Sequence, residues 1–278
     1  MTCAKRVRAE GVALFSGEHS VVEIERCDGP TILRTEKGGG PISEWRAASA
    51  FRTTAIAHAS GARLACVEHL FAALAAFSAQ EGVSIFVRGN ELPILDGASA
   101  AWCALLGELD AELDLPERRP KLVVARDGEV VLGLTKYLFF SDKTHLEISV
   151  ALDWNNAGSF ATSLATRASW DGSRAAFVAG IASARTFILA RDLAQFETSG
   201  AGAHLPETSF VVVGEENVIA SGAPFSADEP ARHKLLDLIG DFFLHGGPPL
   251  GRVEALRPSH AKNHQAIAVA LEKGILRE

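Results

Sequence analysis

What this chain of 278 residues lacks already closes several classes of function. Its four cysteines, Cys3, Cys27, Cys66 and Cys103, form no Cys-x-x-Cys pair and no zinc-knuckle spacing. A disulfide framework is therefore not expected, and a reduced, cytoplasmic setting is the simpler reading. Basic residues are in deficit: 27 Lys and Arg stand against 34 Asp and Glu, for a net charge of −7. That balance argues against a nucleic-acid partner, while leaving room for a local basic pocket for an anionic small molecule. No apolar run is long enough to span a bilayer, so membrane contact is expected to be peripheral at most. Met1 to Glu10 is charged with no apolar stretch behind it, so no secretory signal is expected. There is no Gly-x-Gly-x-x-Gly and no Walker loop, which removes the usual nucleotide-binding parallel sheets.

What remains is a globular composition, 47% hydrophobic and 22% charged, enough for one large domain or two small ones. Short strands are expected at Lys5–Leu14 and Val21–Ile24 around a Ser16-Gly17-Glu18 break, at Thr31–Arg34 and at Val83–Val87. Lys37–Pro41 reads as loop. Cys66–Phe77 and Ala100–Leu109 read as helices, joined through an irregular Glu91–Gly97 segment. Asp114–Pro120, charged and with two prolines, suggests a linker. The pattern then restarts: strands at Lys121–Val124, Val130–Leu134, His145–Leu152, Phe210–Val213 and Arg252–Leu256, and helices near Ser173–Ile181, at Arg232–Phe243 and from Asn263. Each half holds several strands and about two helices without regular alternation, so the class is α+β, in two units over residues 1–116 and 121–278.

The segment Arg232-His-Lys-Leu-Leu-Asp-Leu-Ile-Gly-Asp241 carries the most information. His233 and Asp237 are four apart and share one helix face, which Asp241 continues. Leu235, Leu236, Leu238 and Ile239 supply the apolar surface that buries the helix. Burying an imidazole and two carboxylates is costly unless a metal, a proton or a hydrogen bond compensates. Alone, this spacing also fits a solvated helix face.

Three other places offer chemistry, and each has a plain structural reading. Glu68 and His69 open the first helix, where Glu68 also suits the helix dipole. His260 stands just before the last helix and could simply flank it. Thr186, after Arg185 on an expected loop, could be an N-cap or a strand residue. Together they fit a hydrolytic zinc site, which needs three N/O ligands and an open position for water. His69, His233 and Asp237 supply the ligands, Glu68 a general base, His260 an acid for the leaving amine, and Thr186 an oxyanion donor.

Six segments in order carry a resemblance: Gly11-Val-Ala-Leu-Phe-Ser-Gly17, Val67-Glu-His-Leu-Phe-Ala-Ala-Leu74, Glu91-Leu-Pro-Ile-Leu-Asp-Gly97, Ala184-Arg-Thr-Phe187, Arg232–Asp241 and His260-Ala-Lys-Asn263. The chain resembles the zinc-dependent UDP-3-O-acyl-N-acetylglucosamine deacetylases of lipid A synthesis. The resemblance implies two similar domains, each a sheet with two helices, with the helices sandwiched between the sheets. It implies Zn2+ on His69, His233 and Asp237, and the roles above for Glu68, His260 and Thr186. It further implies that Asp241 orients the catalytic histidine, that Lys234 and Phe187 lie near the substrate, and that Arg257 meets the nucleotide diphosphate. The expected partner is a small acylated sugar nucleotide, and a monomer is expected.

The departures from the family pattern cluster around the substrate. The family's Leu-His-Ser-Gly is here Leu14-Phe15-Ser16-Gly17, and its Gly-Ile-Asp-Asn is not visible around Gln80–Ser84. Arg-Thr-Phe continues as Ile188-Leu189 rather than Gly-Phe. A Gly-Gly-Ser segment is replaced around His204-Leu205-Pro206, and Ser-Gly-His becomes Pro258-Ser259-His260. The catalytic groups are intact while the acyl-chain passage is altered. Two further readings stay open: a paralogue that deacetylates another N-acetylhexosamine, such as a cell-wall fragment, and a non-catalytic zinc-binding scaffold of the same fold.

Overall fold

The computed structural model describes residues 5–110, 120–155, 160–198, 209–220 and 224–278. Two five-stranded sheets dominate it, and they repeat one topology. The first runs in the order Arg6–Val12, His19–Pro30, Glu81–Arg88, Ile32–Thr35, Gly38–Pro41. The second runs Gly128–Leu132, Thr135–Phe140, Gly251–Leu256, Leu146–Ala151, Arg167–Trp170. In each, the last strand in sequence inserts at the centre. It pairs antiparallel with the second strand and parallel with the third.

The helices repeat as well. Helix α1 (Glu68–Ala76) precedes the central strand of the first sheet and α2 (Ala100–Asp110) follows it. In the second half come the short α3 (Arg174–Ala176), which continues as a π turn through Ile181, and α4 (Ala190–Thr198). Helix α5 (Glu229–Phe243) then precedes the central strand and α6 (His260–Glu272) follows it. A small three-stranded sheet is inserted ahead of α1 in the first half and ahead of α5 in the second. One is Arg46–Ala48, Ala55–Ala57 and Arg63–Leu64; the other is Thr186–Leu189, Phe210–Val213 and Val218–Ala220.

Every residue of α1 is buried, and all of α5 except Arg232 and Lys234. A helix enclosed on all sides must lie between layers rather than on a surface. The main core is accordingly continuous. It joins Val22, Ile24, Ile85 and Val87 of one sheet to Tyr137, Phe139, Ile148 and Val253 of the other through Leu70, Phe71, Leu235 and Phe242 of the helices. Helices between two sheets, as the resemblance implied, is the observed α+β arrangement.

Several local expectations need correction. Gly38–Pro41 is an edge strand, not a loop. A side chain on Gly39 (φ 144°) would overlap the backbone of Leu33 and Arg34, so glycine lets this strand lie close to its neighbour. Thr186 begins a strand rather than sitting on a loop. The last helix starts at His260, after Pro258 and Ser259 turn the chain, and not at Asn263. Helix α5 starts three residues earlier than expected, with Pro230 in its first turn, where a missing amide costs nothing. Thr135–Phe140 and the strands between Arg46 and Leu64 carried no separate signal. The proposed linker and the His204-Leu205-Pro206 substitution fall mainly or wholly outside the described residues.

Candidate active site

Helices α1 and α5 meet at their charged residues. His69 and Glu68, in the first turn of α1, face His233 and Asp237 of α5. The ligand atoms of His69, His233 and Asp237 all lie within 4.8 Å of one another, and all three residues are buried. Asp237 Oδ1 is 3.8 Å from His69 Nε2 and 3.5 Å from His233 Nε2. That oxygen is buried with no hydrogen-bond partner among the described residues. A buried, unpartnered carboxylate oxygen facing two imidazole nitrogens is what a bound cation would satisfy.

The surroundings prepare these donors. His233 Nδ1 lies 3.0 Å from the Ala184 carbonyl, which fixes its proton there and leaves Nε2 for a metal. Burial lowers the pKa of His69 to about 3, assisted by His233. Burial likewise lowers that of His233, so both imidazoles are neutral near pH 7, the form that binds metal. Burial opposes charge at Asp237, but His233, Lys234, His260 and His69 outweigh it and hold the carboxylate below its ordinary range. Lys234 Nζ donates to Asp237 Oδ2 at 2.7 Å.

Glu68 lies beside this group without joining it. Its Oε1 accepts from the Thr53 hydroxyl at 2.6 Å and its Oε2 from the Thr54 amide at 3.1 Å. Burial raises its pKa to about 7, against the lowering effect of His260. That value suits a base poised near neutrality. His260 stands opposite, with Nε2 3.9 Å from Glu68 Oε1 and 3.8 Å from Asp237 Oδ2. Its Nδ1 is 3.0 Å from Asp241 Oδ2. Burial disfavours the imidazolium, but Asp241, Asp237 and Glu68 overcome it and raise the pKa to about 9. At neutral pH His260 is therefore a proton donor aimed into the cavity.

Asp241 has no exposed surface and is enclosed by donors. Asn263 Nδ2 donates to it at 2.7 Å, and the Thr54 hydroxyl donates to its other oxygen. Tyr137 donates to Asn263 at 2.5 Å. Thr53, Thr54, Asn263 and Tyr137 were given no role from the sequence. Two threonines between short strands offer no periodicity, and their function appears only once α1 and α5 converge on them.

These groups open into a cavity of about 270 Å³, lined also by Leu14, Phe15, Arg52, Cys66, Ile94 and Thr186–Leu189. The quoted segments meet at its walls. Glu91 accepts from the amides of Phe15 and Ser16 at 2.8 and 2.9 Å, joining the first and third motifs. Arg185 pairs with Glu229 at 2.8 Å, both buried, and ties the Ala184–Phe187 segment to α5. Thr186 lines the cavity, but its hydroxyl donates to the Gly97 carbonyl at 3.0 Å. Phe187 presents its ring edgewise to His233 at 6.2 Å, with Lys234 Nζ 5.8 Å from the ring centre. Arg257 is not among the residues lining this cavity; its guanidinium is paired with Asp153.

A buried His/His/Asp donor set beside a carboxylate and a further histidine is an arrangement suited to metal-dependent hydrolysis. The chain belongs to the UDP-3-O-acyl N-acetylglycosamine deacetylase family, whose model it matches over residues 1–272. It is similar to the UDP-3-O-acyl-N-acetylglucosamine deacetylase of Anaeromyxobacter dehalogenans (strain 2CP-C), at 31% identity covering 97% of this chain and 86% of that protein. The enzyme of the same name from Myxococcus xanthus (strain DK1622) is 29% identical over 96% of this chain and 84% of that protein. That from Shewanella loihica (strain ATCC BAA-1088 / PV-4) is 29% identical, covering 97% and 89%.

Proposed function

We propose that this chain is a zinc-dependent hydrolase that removes the N-acetyl group from UDP-3-O-acyl-N-acetylglucosamine in lipid A synthesis. The observation that carries the metal is the unpartnered Asp237 Oδ1, buried between the Nε2 atoms of His69 and His233. Two imidazoles and a carboxylate are a donor set suited to zinc. Bound there, zinc would lower the pKa of water to about 7 and polarise the amide carbonyl.

The chain's own residues do the rest. Glu68, fixed by Thr53 and Thr54, takes the proton of the attacking water. His260 donates from Nε2 to the departing sugar nitrogen, with its Nδ1 proton anchored on Asp241. Thr186 is assigned to the oxyanion, for which its hydroxyl must exchange Gly97 for substrate. Lys234 and Phe187 border the sugar. Arg257 is assigned to the diphosphate, and this contact requires its release from Asp153. Among the described residues no helix is long and apolar enough to cross a membrane. We assign the enzyme to the cytoplasm as a monomer, over the two-unit division at residues 116–121.

The deciding experiment measures metal content and acetate release together. About one zinc per chain, with turnover of UDP-3-O-acyl-N-acetylglucosamine that chelation abolishes and zinc restores, is expected. Bound zinc without acetate release from this substrate, but with release from another N-acetyl sugar, would favour the paralogue. One observation supports that second reading: the apolar wall of Leu14, Cys66, Ile94 and Ile188 packs into a cluster with Phe15, Leu193 and Phe210.

A further inference from the structure

A second, larger cavity of about 540 Å³ lies behind the active site, walled by Trp45, Lys121, Phe243 and His245 among others. From its wall a chain of polar groups runs inward. His245 Nε2 is 2.9 Å from His264 Nδ1. His264 Nε2 is 3.4 Å from the Thr54 hydroxyl oxygen and 3.7 Å from Asp241 Oδ1. Thr54 touches that same Asp241 oxygen, and His260 holds the other at 3.0 Å. Neither His245 nor His264 has a role in the chemistry described above.

The direction of each bond follows from who can donate. An ionised carboxylate only accepts, so the Thr54 proton is committed to Asp241 Oδ1. The Thr54 oxygen can then only accept from an imidazole. The Nδ1 proton of His260 is directed to Asp241 Oδ2, the shorter contact, which leaves the Thr54 lone pair to His264 Nε2. With its proton on Nε2, neutral His264 has a free lone pair on Nδ1, and His245 donates to it from Nε2. The charged or titratable groups facing His264 are Asp241, His260 and His245. Beyond His245, Arg46 adds positive charge. One carboxylate between two imidazoles supports one imidazolium, and His260 holds the closer, better-aligned contact.

We propose that His264, with its tautomer set by His245, is a positioning residue for the Asp241–His260 pair. Its donation through Thr54 saturates Asp241 Oδ1, so that Oδ2 is held toward His260. Polar groups buried in such a chain stiffen one another only when every member is satisfied. His245 is the member that reaches the rear cavity, where a small molecule can replace it. The proposal rests on His260 being the catalytic acid.

Two readouts test it on the zinc-loaded enzyme. Two-bond 1H–15N spectra at pH 7 should show His264 neutral with its proton on Nε2. A cationic His264, or a proton on Nδ1, overturns the proposal whatever the activity. In kinetics, His264→Leu and His245→Ala should each lower kcat, on the order of tenfold, with KM and zinc content unchanged. His264→Asn, which keeps an N–H donor, should retain most of the rate. Added imidazole, entering the rear cavity, should restore His245→Ala saturably. Wild-type kcat in folded His264→Leu and His245→Ala also overturns it. Should His264→Leu fail to fold, the tautomer in the unaltered enzyme still decides. A wild-type enzyme that releases no acetate would instead reject the proposed function and leave the tautomer result standing.

Discussion

Gly240 of α5 lies against the backbone of Glu68 on α1. A Cβ at Gly240 would overlap the Glu68 carbonyl and stand 3.1 Å from the Ala72 amide nitrogen. The missing side chain lets the two helices approach until Asp237 Oδ1 stands 3.8 Å from His69 Nε2 of α1, while Asp241 reaches the Thr54 hydroxyl ahead of that helix. Gly240→Ala adds helix propensity of about 1 kcal/mol. Both neighbours are backbone and cannot rotate away, so overpacking at about 1–3 kcal/mol or more should prevail. The expected result is a lower Tm and weaker metal retention. A Tm equal to or above that of the unaltered protein would show that the helices have room to part.

Metal binding should depend on each of the three ligands. His233→Ala removes one Nε2 and leaves Asp237 Oδ1 with one imidazole instead of two. Metal analysis after dialysis should fall from about one zinc per chain to a small fraction. Full retention in this variant would remove His233 from the ligand set.

Glu68→Gln should separate chemistry from binding. The amide keeps the size of the side chain; its oxygen can accept from the Thr54 amide while its NH2 donates to the Thr53 hydroxyl oxygen, but it cannot take a proton. Zinc content and fold should persist while kcat falls by roughly a hundredfold or more, the usual loss on removing a general base. Near wild-type turnover in a metal-replete sample would exclude the role.

The chemistry was more legible in the sequence than the fold that delivers it. His233 and Asp237 share one helix, and a four-residue spacing is enough to place them on one face. His69 and His260 come from other helices, and no spacing linked them to that face: the needs of a hydrolytic zinc site suggested the grouping, and the resemblance then supported it. The repeated sheet topology was not readable, because it consists of strand order and pairing rather than of similar residues. The inserted strands around Thr53 and Thr54 are short, and their buried hydroxyls satisfy partners distant in sequence. Glu68 and Asp241 are 14 and 187 residues away from Thr54. For Arg257 the resemblance suggested a substrate contact, and its pairing with Asp153, which such a contact would have to open, could not be read from the sequence.

The pH dependence should be bell-shaped with signs fixed by the two titrating groups. Glu68 must be ionised to act, so the rate rises with pH through its pKa, about 7 in the metal-free protein. His260 must be protonated, so the rate falls through its pKa, about 9. A bound cation favours carboxylate and disfavours imidazolium, so in the zinc enzyme both limbs should lie below those values. Asp241→Asn removes a charge that raises the His260 pKa, and the alkaline limb should move further toward neutrality. Profiles of kcat/KM for the two proteins check this. An unmoved alkaline limb in Asp241→Asn would assign that limb to another group.

Acyl-chain selectivity follows from the cavity's apolar wall. Its volume, about 270 Å³, is at or below the roughly 300–1,000 Å³ of pockets that enclose drug-sized ligands. Ile188 is buried against Leu14, Cys66 and Ile94, with Phe15, Leu193 and Phe210 closing around them. Of these, Ile188 stands where the family pattern has glycine and Phe15 where it has histidine. A long acyl chain must displace packed side chains, whereas a short one need not. The expected order of kcat/KM across UDP-3-O-acyl-N-acetylglucosamines is therefore short or absent acyl above long. Ile188→Gly should reopen the passage and improve the long-chain substrates more than the short. One methylene in a fitted pocket is worth only about 1–3 kcal/mol, but a filled passage excludes the whole tail. A rate that climbs steadily to long chains in the unaltered enzyme would mean that the cluster opens on binding and that the passage is intact.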